Sequence, residues 1–479
     1  MSLPVILVQQ MREWEKATWA SGRTEKEVIA HVGRIVAERA LQLTQADDVI
    51  LILAGKGHNG DDARAALPHL HERQIISLDV VDPQAALEIF LTTCNEAPKP
   101  KLILDGLFGI GLSRPLDEDW QRLIAAVNES KVSVLAIDVP SGIDADTGEI
   151  RGASIQAAVT LTLAAPKRGL LSPRAVPFVG RLEVAPEIGL VPCPFSSELN
   201  WTCVEEFQNF PPPRNVTSHK GTFGHVAIVA GSLGYHGAAV LAGRGALRAQ
   251  PGLVSVFPQD NVYLPVASQL QAAMVHPWRS AQDFPESCSA ILFGPGLAST
   301  ALPASLKKEM IKMWEQSLLP IVADASALDW LPAVHDFSKT LRVITPHPGE
   351  AARMLFTSTE AVQADRVAAL RKLSVRHGNC IVVLKGHQTL VGRSHGEIFI
   401  NSSGNPFLAQ GGSGDILAGY ISGLLAQPSL QSDPLKTVRY AVWQHGAAAD
   451  RLSAAKTNWT VDELLQILGG KFSTTGEHE

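Results

Sequence analysis

Apolar residues along this chain gather in short runs rich in β-branched side chains, and the runs end at glycine or proline. The segments Asp48–Ala54, Lys101–Leu104, Val132–Asp138 and Ala158–Leu163 have strand length and composition, while helical patterns such as Trp120–Val127 lie between them. After a break the rhythm restarts at His225–Ala230 and continues through Leu253–Phe257, Ala290–Phe293, Pro320–Ala323, Arg342–Thr345 and Cys380–Leu384. Strand–helix alternation of this kind predicts parallel sheets with helices on both faces. The break, Gly189–Lys220, holds Pro211, Pro212 and Pro213 and has the composition of a linker. Two α/β domains are therefore expected, residues 1–205 and 210–479, with no internal repeat.

In open parallel sheets, ligands bind at the carboxyl ends of the strands. The polar motifs of both halves fall there. They are GKGHNGDD (Gly55–Asp62), DGLFGIGLSRP (Asp105–Pro115) and DVPSG (Asp138–Gly142), then GPGL (Gly294–Leu297), PHPGE (Pro346–Glu350) and LKGHQT (Leu384–Thr389). The first motif poses a problem. A glycine-rich turn between strand and helix suits a phosphate, yet Asp61 and Asp62 would repel one.

The most specific stretch is Asn405–Leu425. Gly411, Gly412, Ser413 and Gly414 can turn successive N–H groups into one concavity, and the apolar helix from Ile416 onward aims its positive end at the same point. Asp415 stands at the mouth of that anion hole. It is placed to accept a proton from a substrate hydroxyl attacking a γ- or β-phosphate. A plain helix cap is the competing explanation for an aspartate here.

Bulk properties narrow the classes. A length of 479 residues suits more than one core, and 46% hydrophobic with 18% charged residues describes a globular chain. A net charge of −6 without a basic run argues against nucleic acid as a partner. Five scattered cysteines fit a reducing compartment. No apolar run is long enough for a bilayer, and the N-terminal MSLPVILVQQMREWEKA lacks a basic region leading into a signal core. The expectation is a cytoplasmic protein without membrane partners.

GGSGDILAG (Gly411–Gly419) resembles the signature GGTGDVLSG of the ribokinase-like superfamily. Within it, the second half is similar to the ADP- or ATP-dependent NAD(P)H-hydrate dehydratases. The motifs are HKGTFGHVAIVAGS (His219–Ser232), GAAVLAGRGALRAQPGLV (Gly237–Val254), FGPGL, TPHPGE, VLKGHQT and QHGAAAD (Gln444–Asp450). The resemblance implies a ribokinase-like α/β domain that dehydrates hydrated NADH or NADPH using Mg2+ with ADP or ATP, ADP being the usual bacterial donor. It implies Asp415 as catalytic carboxylate and Ala238, Gly296, His347 and Asp415 as contacts to the hydrated dinucleotide. The nucleotide would meet Lys385, Gly386, His387, Gln388 and Thr389 together with Gly411, Gly412, Ser413 and Gly414. One departure is Ser326, which replaces the second carboxylate of the family pattern DADAL at Asp324–Leu328.

The first half, about residues 10–190, resembles the NAD(P)H-hydrate epimerase domain through MREWEKA, DGLFGIGLSRPL, IDVPSGIDADTG and TLAAPKRGLL. It implies a Rossmann-like three-layer α/β/α domain. Asn59, Asp105 and Ser141 would give oxygens to a potassium ion. The turn His58, Asn59, Gly60, Asp61, Asp62 and the loop Gly109, Ile110, Gly111, Leu112, Ser113, Arg114, Pro115 would bind the substrate, with Asp138 as acid/base group and contact. Val139-Pro140-Ser141-Gly142 is not a G-x-S-x-G nucleophile elbow.

The turn departs from the family's GxGNNGGDG at His58, Asp61 and Ala63, and Ala30-His31-Val32-Gly33 replaces ENAG or NNAG. A carboxylate at Asp61 adds bulk and like charge, worth a few kcal/mol at ~4 Å before screening. The expectation is thus asymmetric: an active dehydratase half, and an epimerase half that binds but turns over slowly, in a homo-oligomer. Two other readings use the same residues. One is a ribokinase-like vitamin or sugar kinase with an accessory binding domain, the other a non-catalytic nucleotide sensor.

Overall fold

The computed structural model describes residues 2–300, 302–334, 336–337 and 340–471. The chain forms two compact units that divide between Ser197 and Glu198.

In the first unit the strand Val49–Ala54 is buried at every position, because helices cover both faces of its sheet. Its alternate side chains serve two cores. Ile50, Ile52 and Ala54 pack with Val8–Ala20, Glu25–Gln42 and His58–Ala66, while Leu51 and Leu53 pack with Pro83–Asn95 and Glu118–Glu129. Across the sheet the order is Gln74–Asp79, Val49–Ala54, Pro100–Gly106, Ser133–Ile137, Val159–Leu163 and Arg181–Ala185, each pair parallel. This is the three-layer α/β/α arrangement.

In the second unit parallel strands run in the order Ile381–Leu384, Arg342–Ile344, Ile321–Ala323, Ala290–Phe293, His225–Val229, Leu253–Phe257 and Met274–Val275. Beyond Ile381–Leu384 the sheet continues with antiparallel Leu390–Gly392, then Ile398–Ile400 and Leu199–Trp201. The helices Ser413–Leu425 and His236–Arg248 meet almost backbone to backbone. A Cβ on Gly419 would lie 2.0 Å from the Ala242 carbonyl oxygen, and one on Gly245 would lie 2.3 Å from that of Ile416. Small residues here are therefore a packing requirement, and they hold the start of Ser413–Leu425 in one place.

The strand runs read from the pattern lie within one residue of the observed ends, except that Pro100–Gly106 extends its run. Several strands escaped the pattern: Gln74–Asp79, Arg181–Ala185, Leu390–Gly392, Ile398–Ile400, Leu199–Trp201 and Met274–Val275. The first two form the edges of their sheet, where one flank is open and polar residues are tolerated. The expected linker is more structured than its composition. Leu199–Trp201 pairs in parallel with Ile398–Ile400, so residues 198–205 group with the second unit rather than the first. Among the described residues no helix is long and apolar enough to cross a membrane, and all five cysteines are free.

Gly419→Ala should lower the stability of the second unit by at least about 2 kcal/mol, since the added methyl overlaps rigid backbone. Denaturant unfolding of wild type and variant, followed by a probe in that unit, measures the difference.

Candidate active sites

Parallel strands place their following residues at one edge. In the second unit this edge carries Asp324 after Ile321–Ala323, Thr345 and His347 after Arg342–Ile344, and Lys385 after Ile381–Leu384. Lys385 Nζ lies 2.9 Å from Asp324 Oδ1 and 3.9 Å from Glu350 Oε2. Thr345 Oγ1 donates to the same Asp324 oxygen at 2.6 Å. The ammonium also reaches the glycine turn, for a Cβ on Gly414 would stand 3.4 Å from Nζ. Burial works against the Lys385 charge, but Asp324, Glu350 and Asp415 outweigh it and hold its pKa above the ordinary value.

Gly412, with φ 96°, occupies the cap position of Ser413–Leu425, so Asp415 sits in the first turn rather than at the cap. The capping explanation for Asp415 therefore falls. Burial first, and the nearby Asp324 second, push the Asp415 carboxyl up to about 7, with Glu350 adding and Lys385 opposing. A carboxyl poised there exchanges a proton readily at neutral pH. His445 hydrogen-bonds the Ser413 backbone, and burial pushes it down to about 4, so it supports the turn as a neutral ring.

Gly296 and Ala238 lie side by side. A Cβ on Gly296 (φ 64°) would meet Ala238 Cβ at 2.8 Å and the Tyr235 carbonyl oxygen at 2.5 Å. His347 has a structural task of its own. Its Nδ1 accepts from Gly349 N at 3.0 Å and Glu350 N at 3.3 Å, capping the helix Pro348–Leu355, while half the side chain stays exposed. The loop Lys385–Thr389 is braced by Arg366, which donates to the carbonyls of Leu384 (3.0 Å), Lys385 (3.2 Å) and His387. Thr389 Oγ1 closes the loop onto Gly386 O at 3.1 Å. Ser326 does not join the charged cluster; it lines a cavity with Lys307, Asp329 and Trp330.

In the first unit a cavity of about 630 Å³ opens at the carboxyl edge of the sheet. Its walls include His58, Asn59, Asp62, Asp138, the run Gly109–Arg114 and Glu15. Gly60, Asp61 and Pro115, expected to touch substrate, are not in that lining. Gly60 packs on the strand end instead, where a Cβ would lie 2.0 Å from Gly55 O. Asp61 pairs with Arg64 at 2.9 Å, and Arg64 also binds Asp79 at 2.8 Å and Gly55 O at 2.7 Å. Asp61 is thus paired and outside the cavity lining, although its charge still adds to the raised pKa of Asp62 within it. His58 pairs with Glu25 at 2.7 Å in a largely exposed contact.

Asp138 adopts a left-handed backbone, φ 63°, directly after the strand Ser133–Ile137. Its Oδ1 accepts from Lys167 Nζ at 2.5 Å, Leu163 N at 3.0 Å and Thr162 Oγ1 at 3.1 Å. Two more carboxyls share the cavity. Burial, then Asp138, raises the pKa of Glu15; burial, then Asp138 and Asp61, raises that of Asp62 well above the usual range. Glu15 and Lys167 were missed as site residues, although both lie in quoted motifs, MREWEKA and TLAAPKRGLL.

Asp105, Ser141 and Asn59 do converge. Ser141 donates to Asp105 through Oγ at 2.5 Å and through its N–H at 2.8 Å, Phe108 N donates to Ser141 Oγ at 2.8 Å, and Asn59 Nδ2 donates to Phe108 O at 2.9 Å. Asp105 is fully buried, which pushes its carboxyl up to about 6 against the hydrogen bonds from Ser141 and Leu107. The set is made of amide, hydroxyl and carboxylate oxygens, with one carboxylate that burial leaves short of positive charge. That chemistry suits a hard, singly charged cation.

Residues 226–469 match the protein family described as NAD(P)H-hydrate dehydratase, and residues 80–169 match the YjeF-related protein N-terminus. The chain is 33% identical to the bifunctional NAD(P)H-hydrate repair enzyme Nnr of Coxiella burnetii over 467 residues, 92% of this chain and 93% of that one. The enzyme of the same name from Gloeobacter violaceus is 33% identical, with 96% of each chain covered. Among solved structures, the ADP/ATP-dependent NAD(P)H-hydrate dehydratase of Bacillus subtilis, co-crystallised with ATP/Mg2+, matches with a TM-score of 0.50 and 32% identity. The match covers 56% of this chain and 95% of that one.

The raised pKa of Asp415 has a stability consequence. A carboxyl that ionises at about 7 when folded and at 3.8 otherwise contributes fully below the lower value and loses that contribution as pH rises through 7. Asp415→Asn, which cannot ionise, should match wild type near pH 4 and melt several degrees higher at pH 8; calorimetry at the two pH values checks this.

Proposed function

The chain belongs to the bifunctional NAD(P)H-hydrate repair enzymes, and from that premise we propose how its two sites divide the work. The second unit dehydrates the S epimer of hydrated NADH or NADPH at the expense of ADP or ATP, and the first interconverts the R and S epimers. The observation that carries the reading is Asp415 in the first helical turn, beside Gly414 and the Lys385–Asp324 pair.

In the dehydratase site, the Mg2+–nucleotide complex is a substrate. Its terminal phosphate lies against the N–H groups of Gly411, Gly412, Ser413 and Gly414, with Lys385 neutralising charge. Asp415 takes the proton of the ring hydroxyl as its oxygen bonds to phosphorus, and the nucleotide leaves as AMP from ADP, or ADP from ATP. Phosphate then departs with the electrons of the C–O bond, assisted by the ring nitrogen. Loss of a proton from the neighbouring carbon restores the double bond. The Arg366-braced loop holds the nucleotide, and Ala238, Gly296 and His347 face the hydrated ring.

In the epimerase site the hydroxyl carbon is attached to the ring nitrogen. Protonating the hydroxyl releases water and leaves an iminium; water returning to the opposite face, with loss of a proton, gives the other epimer. Asp138 handles the proton, and Gly109–Arg114 hold the phosphates, Arg114 as their charge partner. Asn59, Asp105 and Ser141 are the residues that would hold potassium, which supplies counter-charge to Asp105 and the dinucleotide. The Arg64 pair with Asp61, outside the cavity lining, supports a working epimerase in this reading. A cytoplasmic, homo-oligomeric enzyme is part of the same reading.

Incubation with hydrated NADH and ADP should restore reduced-nicotinamide absorbance and release phosphate. A stable phosphorylated product would instead favour a kinase. The rate should rise with pH through about 7, where Asp415 ionises, and Asp415→Asn should lose about 10²-fold or more. Purified R-hydrate should be consumed well above its spontaneous epimerisation rate, with Asp61→Gly changing this by less than about twofold; consumption only at the spontaneous rate would remove the epimerase activity from the reading.

A further inference from the structure

Lys167 is fully buried, with no exposed side chain, and the chemistry above does not use it. Burying an ammonium costs several kcal/mol unless its protons are all engaged. Here they are: Nζ donates to Asp138 Oδ1 at 2.5 Å, Leu163 O at 2.6 Å and Thr162 Oγ1 at 3.3 Å. Thr162 Oγ1 and Leu163 N add their own bonds to that same carboxylate oxygen. Asp138 is also held in a left-handed backbone, φ 63°, by its N–H to Leu161 O at 2.8 Å. Non-glycine side chains rarely adopt that region, so the site keeps Asp138 there against strain.

We propose that Lys167 is a positioning residue of the epimerase: it pins Oδ1 of Asp138 and so orients Oδ2 toward the cavity. This rests on the epimerase reading of the first unit. The groups facing Asp138 across the cavity are the carboxyls of Glu15 and Asp62, whose own pKa values the Asp138 charge raises. Lys167 supplies the opposing positive charge. Without it, the carboxylate should lose its neighbouring cation and its fixed rotamer.

The test uses the full chain and follows R/S interconversion chromatographically without ADP, so that the dehydratase is silent. Lys167→Met should reduce kcat at neutral pH by about 10²-fold, change KM by less than about threefold, and move the acid limb of the pH profile upward by about one unit or more. Dehydration of S-hydrate by the same preparation should be unchanged. Lys167→Arg should return the acid limb toward wild type and recover part of kcat. Should the Met variant fail to fold, the Arg variant and the double variant Lys167→Met/Asp138→Asn decide. The latter should refold the first unit, because no buried charge is left unpaired. A Met variant with wild-type kcat and acid limb, or a loss confined to KM, overturns the assignment. A wild-type chain that does not interconvert the epimers overturns the epimerase reading itself, before any variant is made.

Discussion

A carboxylate held out of water at the end of a parallel strand needs positive charge within reach, and both units meet that need with a lysine, fully buried in the first and half-buried in the second. Asp138 pairs with Lys167 at 2.5 Å, and Asp324 pairs with Lys385 at 2.9 Å. The remaining site geometry is arranged around these pairs. In the second unit the Lys385 ammonium also bears on Gly414, so one cation links the strand edge to the glycine turn where a phosphate would lie. In the first, the pair stabilises an acid in a cavity that already holds Glu15 and Asp62.

Both sites also depend on close backbone approach. The turn Gly411–Gly414 is useful only if the helix behind it starts at a fixed point. That point is set by Gly419 and Gly245, which let Ser413–Leu425 and His236–Arg248 touch. In the first unit Gly60 performs the same service beneath the cavity, bringing the helix His58–Ala66 against the end of Val49–Ala54. Glycines that look like ligand-binding features in a motif can thus be packing features that place their neighbours.

Much of the architecture was legible because buried parallel strands are almost uniformly apolar. Leu253–Phe257 and Ala290–Phe293 were read to the residue. Edge strands such as Gln74–Asp79 and short antiparallel ones such as Leu390–Gly392 carry no such signature, and Leu199–Trp201 was concealed in a proline-rich segment. The motifs placed Asp138 and Lys385 at strand ends and Asp415 at a helix start, as the structure has them. Glu15 and Lys167 were passed over, since a charged residue in a helix or loop says nothing about the cavity it enters. The ion pairing of Asp61 was hidden for a similar reason. Its partner Arg64 lies one helical turn away, and Arg64 in turn is held by Asp79 on the neighbouring strand.

Read alone, the amino-acid sequence determined the two α/β units, the strand-end placement of the motifs and the identity of the main acidic groups. Those properties follow from local patterns of burial and from residue types at short spacing. Tertiary structure decided which charges meet. Ionic pairing and desolvation depend on distances across the fold, such as Lys385 to Asp324 over 61 positions or Lys167 to Asp138 over 29. Whether an aspartate is an ion-paired, partly exposed group like Asp61 or a carboxyl that burial raises to about 7 like Asp415 depends on those distances.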